Sequence, residues 1–366
     1  MFLFQMLRDN PAIKNNQKLV YWFRCFRHRK NPKGYHAIPS VDEICHMFWI
    51  ESYGSLYPEK NIYLIDFEGE MKGFFAIYRN ILSAFYVCKR FGFTPHIRVT
   101  GSIYNRRKDD NMFEYYFRQP EDLNYKDILQ SRNIIHYSYQ HSRWISFDQQ
   151  TERRYIVAGY EINENEISML ADARKKYLRF QPDVIRQIQE DMETLLGGMD
   201  RKKTAGIHFR GGAFNDRVYG HPVPLNIEDY YPYIDSLIAK GFCGIFAATD
   251  DSRAVQKLKK RYGAMVHYYA GNVRSDSFLD AAYVKTDRKD NRYRNGYEVL
   301  RDMLTLAFCN ALVCGNSQVS IAARIEKKSR DEAYDYLKVI DKGLVSRQNY
   351  RHLNRYRKLN REMLSK

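Results

Sequence analysis

Ala205-Gly206-Ile207-His208-Phe209-Arg210-Gly211-Gly212 reads as an apolar strand that ends on two polar side chains and breaks into a glycine turn. A strand stopping on His-x-Arg presents an aromatic donor and a fixed cation at its carboxyl end. In open α/β sheets that edge is where ligands bind. Arginine suits a phosphate there, because its planar fork grips oxygens in pairs and never loses its charge. His-x-Arg is common by chance, and its weight comes from two later segments of the same form. Phe246-Ala247-Ala248 runs into Thr249-Asp250-Asp251, and Ala311-Leu312-Val313-Cys314 runs into Gly315-Asn316-Ser317-Gln318. In a parallel sheet the three ends are neighbours.

Each end also has a purely structural reading. Asp250 and Asp251 suit the N-cap and first turn of the helix that follows, and Asn316-Ser317 suits a cap as well. His208 fits a hydrogen-bonded strand histidine. The site reading rests on all three occurring at one edge. The turn from Gly315 to Gln318 offers backbone N–H groups at a helix N-terminus, an anion site to which Arg210 adds charge. The Asp250-Asp251 pair lacks a third carboxylate at regular spacing, so no metal is expected.

Elements extend outward from this core. Asn61–Asp66 reads as a strand, Phe74–Phe91 has helical apolar spacing and stops at Gly92, and Thr94–Val99 is the next strand. That order predicts a parallel sheet. Residues 103–150 are polar and tyrosine-rich and predict loops beside an acceptor groove. Helices are expected over 163–180, from Pro182 to Gly197-Gly198, and over 227–239, 252–262, 298–308 and 319–330. Further strands are expected over 242–248 and 266–269. A basic surface helix is expected over 347–366. Residues 1–35 predict an amphipathic helix, docked on the body or lying on a membrane surface.

With 366 residues and 44% hydrophobic content, the chain is long enough for two packed domains, and wholesale disorder is excluded. There is no run of 18 apolar residues and no basic leader before an apolar stretch, so neither a spanning helix nor a secretory signal is expected. Six cysteines without Cys-x-x-Cys pairing predict a reducing compartment, and Cys45-His46 has no matching pair for zinc. A net charge of +16 points to an anionic partner: nucleic acid, acidic lipid or a phosphorylated small molecule. No nucleic-acid module is evident, and the positive charge gathers at the termini instead of interleaving with aromatics, so nucleic acid is the lesser alternative.

The blocks Gly206–Arg210, Phe246–Asp251 and Asp302 followed by Leu312–Val319 resemble, in order and spacing, the NodZ-like and α-1,6-fucosyltransferase group. This GDP-fucose-dependent superfamily also includes the protein O-fucosyltransferases. The resemblance covers roughly residues 60–330, with Lys72-Gly73 resembling the family's opening glycine loop. It implies an α/β fold of GT-B type, two Rossmann-like lobes facing a cleft. The divisions expected are a basic aromatic extension over 1–60, an acceptor-side lobe over 61–180, a donor-side lobe over 181–330 and a basic helical tail over 331–366.

By the same resemblance, His208 and Asp302 hold guanine, Arg210 with Ser317, Gln318 and the Gly73 loop holds the β-phosphate, and Asp250 and Asp251 organise the floor. It implies an inverting, metal-independent fucosyltransferase with GDP-fucose as donor, no cofactor and a glycan or lipid-linked glycan acceptor. A transferase using another nucleotide-sugar is the alternative within enzymes. Many members carry a second arginine where this chain has Gly211, and Thr-Asp where it has Gly212-Ala213. Asp216 is the carboxylate nearest to the family's candidate base, and Arg217 is the available substitute for the missing arginine. A cytoplasmic location is expected, with the basic termini resting on anionic headgroups and the product a surface polysaccharide.

Overall fold

The computed structural model describes residues 48–69, 72–137, 160, 162–211, 220–276 and 281–345. The first lobe begins with strands β1 (Phe48–Glu51) and β2 (Ile62–Glu68), helix α1 (Phe74–Phe91) and strand β3 (Thr94–Thr100). Short elements follow: α2 (Phe113–Tyr116), β4 (Phe117–Arg118), α3 (Tyr125–Ile128) and β5 (Ile134–Tyr137). Helix α4 (Glu164–Tyr177), strand β6 (Arg179–Phe180) and helix α5 (Pro182–Leu196) lead to the second lobe. That lobe contains β7 (Thr204–Phe209), α6 (Tyr231–Ala239), β8 (Gly244–Thr249), α7 (Ser252–Tyr262), β9 (Val266–His267), α8 (Asn291–Phe308), β10 (Ala311–Gly315), α9 (Gln318–Ser329) and β11 (Tyr336–Ile340).

The second sheet is wholly parallel, in the order β11-β10-β7-β8-β9. The chain builds outward from β7 through β8 to β9, then crosses back to lay β10 and β11 on the other side. The reversal falls between β7 and β10, and at such a switch point the two connections leave in opposite directions and open a crevice at the carboxyl ends. Both sheet faces are covered, which explains why β7, β8 and β10 are buried at every residue. Ala205, Ile207, Ile245, Ala247 and Val313 pack on one side with α6 and α7, while Phe246, Leu312 and Cys314 face the other. Gly206 packs closely there: a β-carbon would sit 3.0 Å from Leu306 Cδ2 of α8.

The first sheet has the order β1-β5-β2-β3, with β2 parallel to both neighbours and β1 antiparallel at the edge. Helix α1 ends at Gly92, whose φ of 70° is the left-handed conformation that a helix stop requires. A single apolar cluster runs from Ile65 and Phe85 through Leu170 to Leu304, Leu312 and Ile321, so the core is continuous between the lobes.

The expected architecture is present: α/β, with two lobes on parallel sheets and a cleft between them. Several expectations change in detail. The loops expected over 103–150 contain β5, an inner strand of four residues too short and too polar in context to announce itself. Helix α8 starts at Asn291 instead of 298, because its first turns are polar and aromatic and meet the other lobe rather than the core. The expected strand over 266–269 shortens to Val266–His267. The extension placed over 1–60 gives its last part to the first sheet as β1, and the tail expected to be helical from 331 instead supplies β11 to the second sheet. Only Ile340 of this edge strand is buried, and Leu337 is exposed. The helices expected over 1–35 and 347–366 lie outside the described residues. Among the described residues no helix is long and apolar enough to cross a membrane.

Candidate active site

A cavity of about 560 Å³ lies between the lobes, at the carboxyl ends of β7 and β8. The first lobe contributes Lys72 to Ala76, Ile103 and Tyr104; the second contributes His208, Arg210, Asp250, Asp302 and Gln318. Its volume is in the range of nucleotide-sized pockets.

His208 is buried at the end of β7, and its Nδ1 lies 3.2 Å from Ser317 Oγ. Burial, reinforced by the nearby Arg210 guanidinium, pulls the imidazole down to about 3, so it is neutral at physiological pH. Tyr230 donates its hydroxyl to the His208 carbonyl at 3.2 Å, fixing the strand end at the switch point. Ser317 itself is turned away from the cavity. It caps α9 by accepting from Ser320 N at 3.1 Å, and Ser320 Oγ in turn donates to the Gly315 carbonyl at 2.8 Å. Ser317 thus acts behind the wall, on His208. Gln318 does line the cavity, but its Oε1 accepts from Arg79 Nη1 at 3.1 Å, a part-buried bond from α1 that ties the lobes together.

The two aspartates divide the alternatives left open by the sequence. Asp250 lines the cavity and accepts from Gly211 N at 2.7 Å. Asp251 does not line it: the carboxylate caps α7 through Arg253 N at 2.8 Å and Ala254 N at 3.3 Å, and pairs with the Arg253 guanidinium at 3.0 Å. The second-arginine position at Gly211 is explained here. A β-carbon on Gly211 would press on Asp251 Cβ and lie 2.8 Å from its Oδ2, so no side chain fits beside the capped helix.

Gly73 is the N-cap of α1, with no side chain capping it and no acid in the first turn. A β-carbon there would meet nothing within 4 Å, so this helix start is open to a ligand. The Phe74 N–H donates to Tyr104 Oη at 3.0 Å. The positive end of α1 and the Arg210 cation therefore border the same cavity, an arrangement suited to an anion.

At the other end, Asp302 projects from α8 to the cavity wall and is buried, with 9% of its surface exposed. Asn272 Nδ2 donates to both of its carboxylate oxygens at 3.1 Å. Burial pushes the Asp302 carboxyl up to about 7, against the pull of Arg274, Arg301 and the Asn272 amide. Glu298, one helical turn earlier, also lines the cavity and is held by Arg288 at 2.5 Å and by Val273 N at 3.3 Å.

His208, Arg210, Asp250, Asp302, Gln318 and Gly73 thus border one space, while Ser317 and Asp251 support it from behind. Asp216 and Arg217 lie outside the described residues. Sequence reading missed Asn272, Glu298, Tyr104, Tyr160 and His221, all of which line the cavity. Glu298 and Asp302 are four apart and share a helix face, a signal that emerges once α8 is extended. Asn272, in a loop after a two-residue strand, carries no such signal. Among the described residues no three His, Cys, Asp or Glu side chains converge as metal ligands do.

No family model matches the chain. No curated protein matches it. Among solved structures, the chain is similar to NodZ alpha-1,6-fucosyltransferase soaked with GDP-fucose: 16% identity over 73% of this chain and 92% of that one, TM-score 0.43. It is also similar to fucosyltransferase NodZ from Bradyrhizobium (15% identity, 72% and 92% coverage, TM-score 0.39). A third similarity is to POFUT1 in complex with GDP (13% identity, 76% and 98% coverage, TM-score 0.42).

Proposed function

We propose that the chain is an inverting fucosyltransferase that takes GDP-fucose as donor and a glycan as acceptor. The observation that carries this reading is the convergence of His208, Arg210, Asp302 and the Gly73 helix start on one cavity of about 560 Å³. These are the residues that the sequence blocks align with the fucosyltransferase superfamily. In this reading the guanine lies between His208 and Asp302. Asp302, when ionised, accepts from ring N–H groups. A hydrogen donated by Ser317 to His208 Nδ1 leaves Nε2–H to donate to the base.

The diphosphate lies against Arg210 and the first turn of α1. The acceptor hydroxyl attacks the anomeric carbon as the bond from that carbon to the β-phosphate oxygen breaks, and GDP leaves with the electron pair. The growing negative charge is met by Arg210 and the helix N-terminus, groups already fixed in place before reaction. Arg210 and the α1 dipole supply the positive charge at the leaving group without a metal ion. The proton lost by the acceptor passes to a base, for which Asp216 is the sequence candidate. A surface polysaccharide precursor on a lipid carrier is the proposed acceptor, with basic residues near the termini adding about 1 kcal/mol per charge at an anionic headgroup layer.

Calorimetric titration of the full chain with GDP, GDP-fucose and UDP tests the donor. Binding of both guanine compounds at micromolar concentration, with UDP at least about tenfold weaker (1.4 kcal/mol), is expected. Equal binding of UDP sinks the guanine assignment, and a donor-hydrolysis panel of GDP-sugars then separates fucose from other sugars.

A further inference from the structure

The side chains behind Asp302 form a chain that leads out of the cavity. Arg301 donates from Nη2 to Asn272 Oδ1 at 2.6 Å, and Arg301 is itself ion-paired with Asp191 of α5. Its guanidinium also stacks on the Tyr269 ring at 3.7 Å. A guanidinium has donors only, so the oxygen of the Asn272 amide must face Arg301. The NH₂ group then has one direction left, toward the Asp302 carboxylate, where it spans both oxygens.

We infer that Asn272 is a positioning residue: locked by Arg301, it holds the Asp302 carboxylate ionised and oriented for a ligand N–H, and so sets the pH range in which the cavity takes a nucleotide. The inference rests on reading the cavity as a guanine nucleotide site. Among the described residues, the groups facing Asp302 are few. Arg274 comes from the loop after β9, donating to the Tyr269 carbonyl at 3.0 Å and the Asn272 carbonyl at 3.3 Å. Arg301 and Glu298 come from its own helix, and Tyr269 from the same loop as Arg274. His208, across the cavity, is neutral.

Burial raises the carboxyl to about 7, and Arg274, Arg301 and Asn272 are what keep it from rising further. The sign of the effect on binding follows. A ligand N–H needs the carboxylate, so affinity is flat above the carboxyl's midpoint and falls below it. Removing the Asn272 donor raises the midpoint and carries the fall upward in pH.

The test uses the full chain with ¹³C-labelled aspartate. Asp302 is identified as the carboxyl signal lost in Asp302→Asn, and its titration is followed without ligand. In Asn272→Ala its midpoint is expected to rise by at least about half a unit. Arg301→Lys, which keeps the charge but loses the fork, is expected to shift in the same direction and serves if Asn272→Ala does not fold. GDP affinity is then measured by calorimetry from about pH 5.5 to 8.5. The wild type should lose about tenfold per unit below its midpoint, and Asn272→Ala should be about twofold weaker at pH 7, about threefold weaker at pH 5.5, yet near wild type at pH 8.5. A midpoint unmoved in both variants, or an affinity lowered equally at every pH, overturns the inference. A shifted midpoint in a protein that takes no GDP at any pH instead removes the nucleotide reading, leaving the hold on Asp302 established.

Discussion

Arg210 and Gly211 are adjacent, and the surroundings give them opposite tolerances. Arg210 borders the cavity where charge would develop on the leaving group. Arg210→Ala should therefore cut turnover by at least about a hundredfold, equivalent to about 2.7 kcal/mol or more, while the unfolding midpoint stays near wild type. A turnover assay beside a thermal scan checks both halves. Gly211 is constrained by space, since a β-carbon would press on the Asp251 carboxylate that caps α7. Gly211→Ala should cost about 1–3 kcal/mol by overpacking, read in urea titration, and more than alanine costs at Gly73, whose surroundings are open. Asp302 supplies a pH signature. Its carboxyl moves from 3.8 to about 7 on folding, so its contribution to stability is present in full below about pH 4 and is lost as pH rises through 7. Asp302→Asn should remove that slope from a plot of unfolding free energy against pH, leaving the chain more stable than wild type on the neutral side.

Helix α8 serves both lobes, and its sequence reflects the division. Its second half buries Leu300, Met303, Leu304, Leu306 and Ala307 under the second sheet while carrying Arg301 and Asp302 toward the cavity. The first half carries Tyr293, Asn295, Gly296 and Glu298, which meet the first lobe and the cavity. Tyr116 of α2 donates its hydroxyl to the Tyr293 carbonyl at 2.7 Å and stacks on the Tyr293 ring at 5.3 Å. This approach is possible because residue 296 is glycine. A β-carbon there would press on Tyr116 Oη and sit 2.8 Å from Cζ. Gly296→Ala gains helix propensity worth about 1 kcal/mol and should still be destabilising, because displacing a buried tyrosine costs more. Greater stability of the variant in denaturant titration would show that the helix–helix approach is looser than the geometry requires.

At the scale of the whole molecule, the lobes are joined by bonds that a freely hinged pair would lack. Glu326 of α9 is fully buried and accepts from Arg174 of α4 at 2.7 and 2.9 Å, with Arg330 adding a second partner at 2.9 Å. Burial alone would lower the Arg174 pKa, and the Glu326 carboxylate more than offsets this. Glu326→Gln leaves Arg174 without its counter-charge in a desolvated place, and breaking such a pair costs about 3–5 kcal/mol. With the apolar core continuous between the lobes, the chain should unfold in one calorimetric transition. The variant should move that transition down without splitting it. Two separated transitions in the wild type would contradict the shared core.

The polar strand ends at His208, Asp250 and Ser317 were legible in sequence because each follows a continuous apolar run, and such a run in an α/β chain is a strand buried on both faces. The Phe74–Phe91 helix was legible from its apolar spacing and its glycine stop, although in the folded chain it is buried around most of its circumference. Identity and period are local quantities, so one-dimensional order suffices to show them. Which aspartate lines the cavity and which caps a helix was not local: Asp250 and Asp251 are neighbours in sequence, and only the path of α7 assigns them. Asn272 reaches Asp302, and Arg79 reaches Gln318, across 30 and 239 residues respectively. Those partnerships exist because the sheet reverses direction between β7 and β10 and packs α8 against both lobes. Residue type therefore determined which chemistry the chain holds, whereas the distances over which charges and hydrogen bonds act were decided only when the folded core brought those residues within a few ångströms.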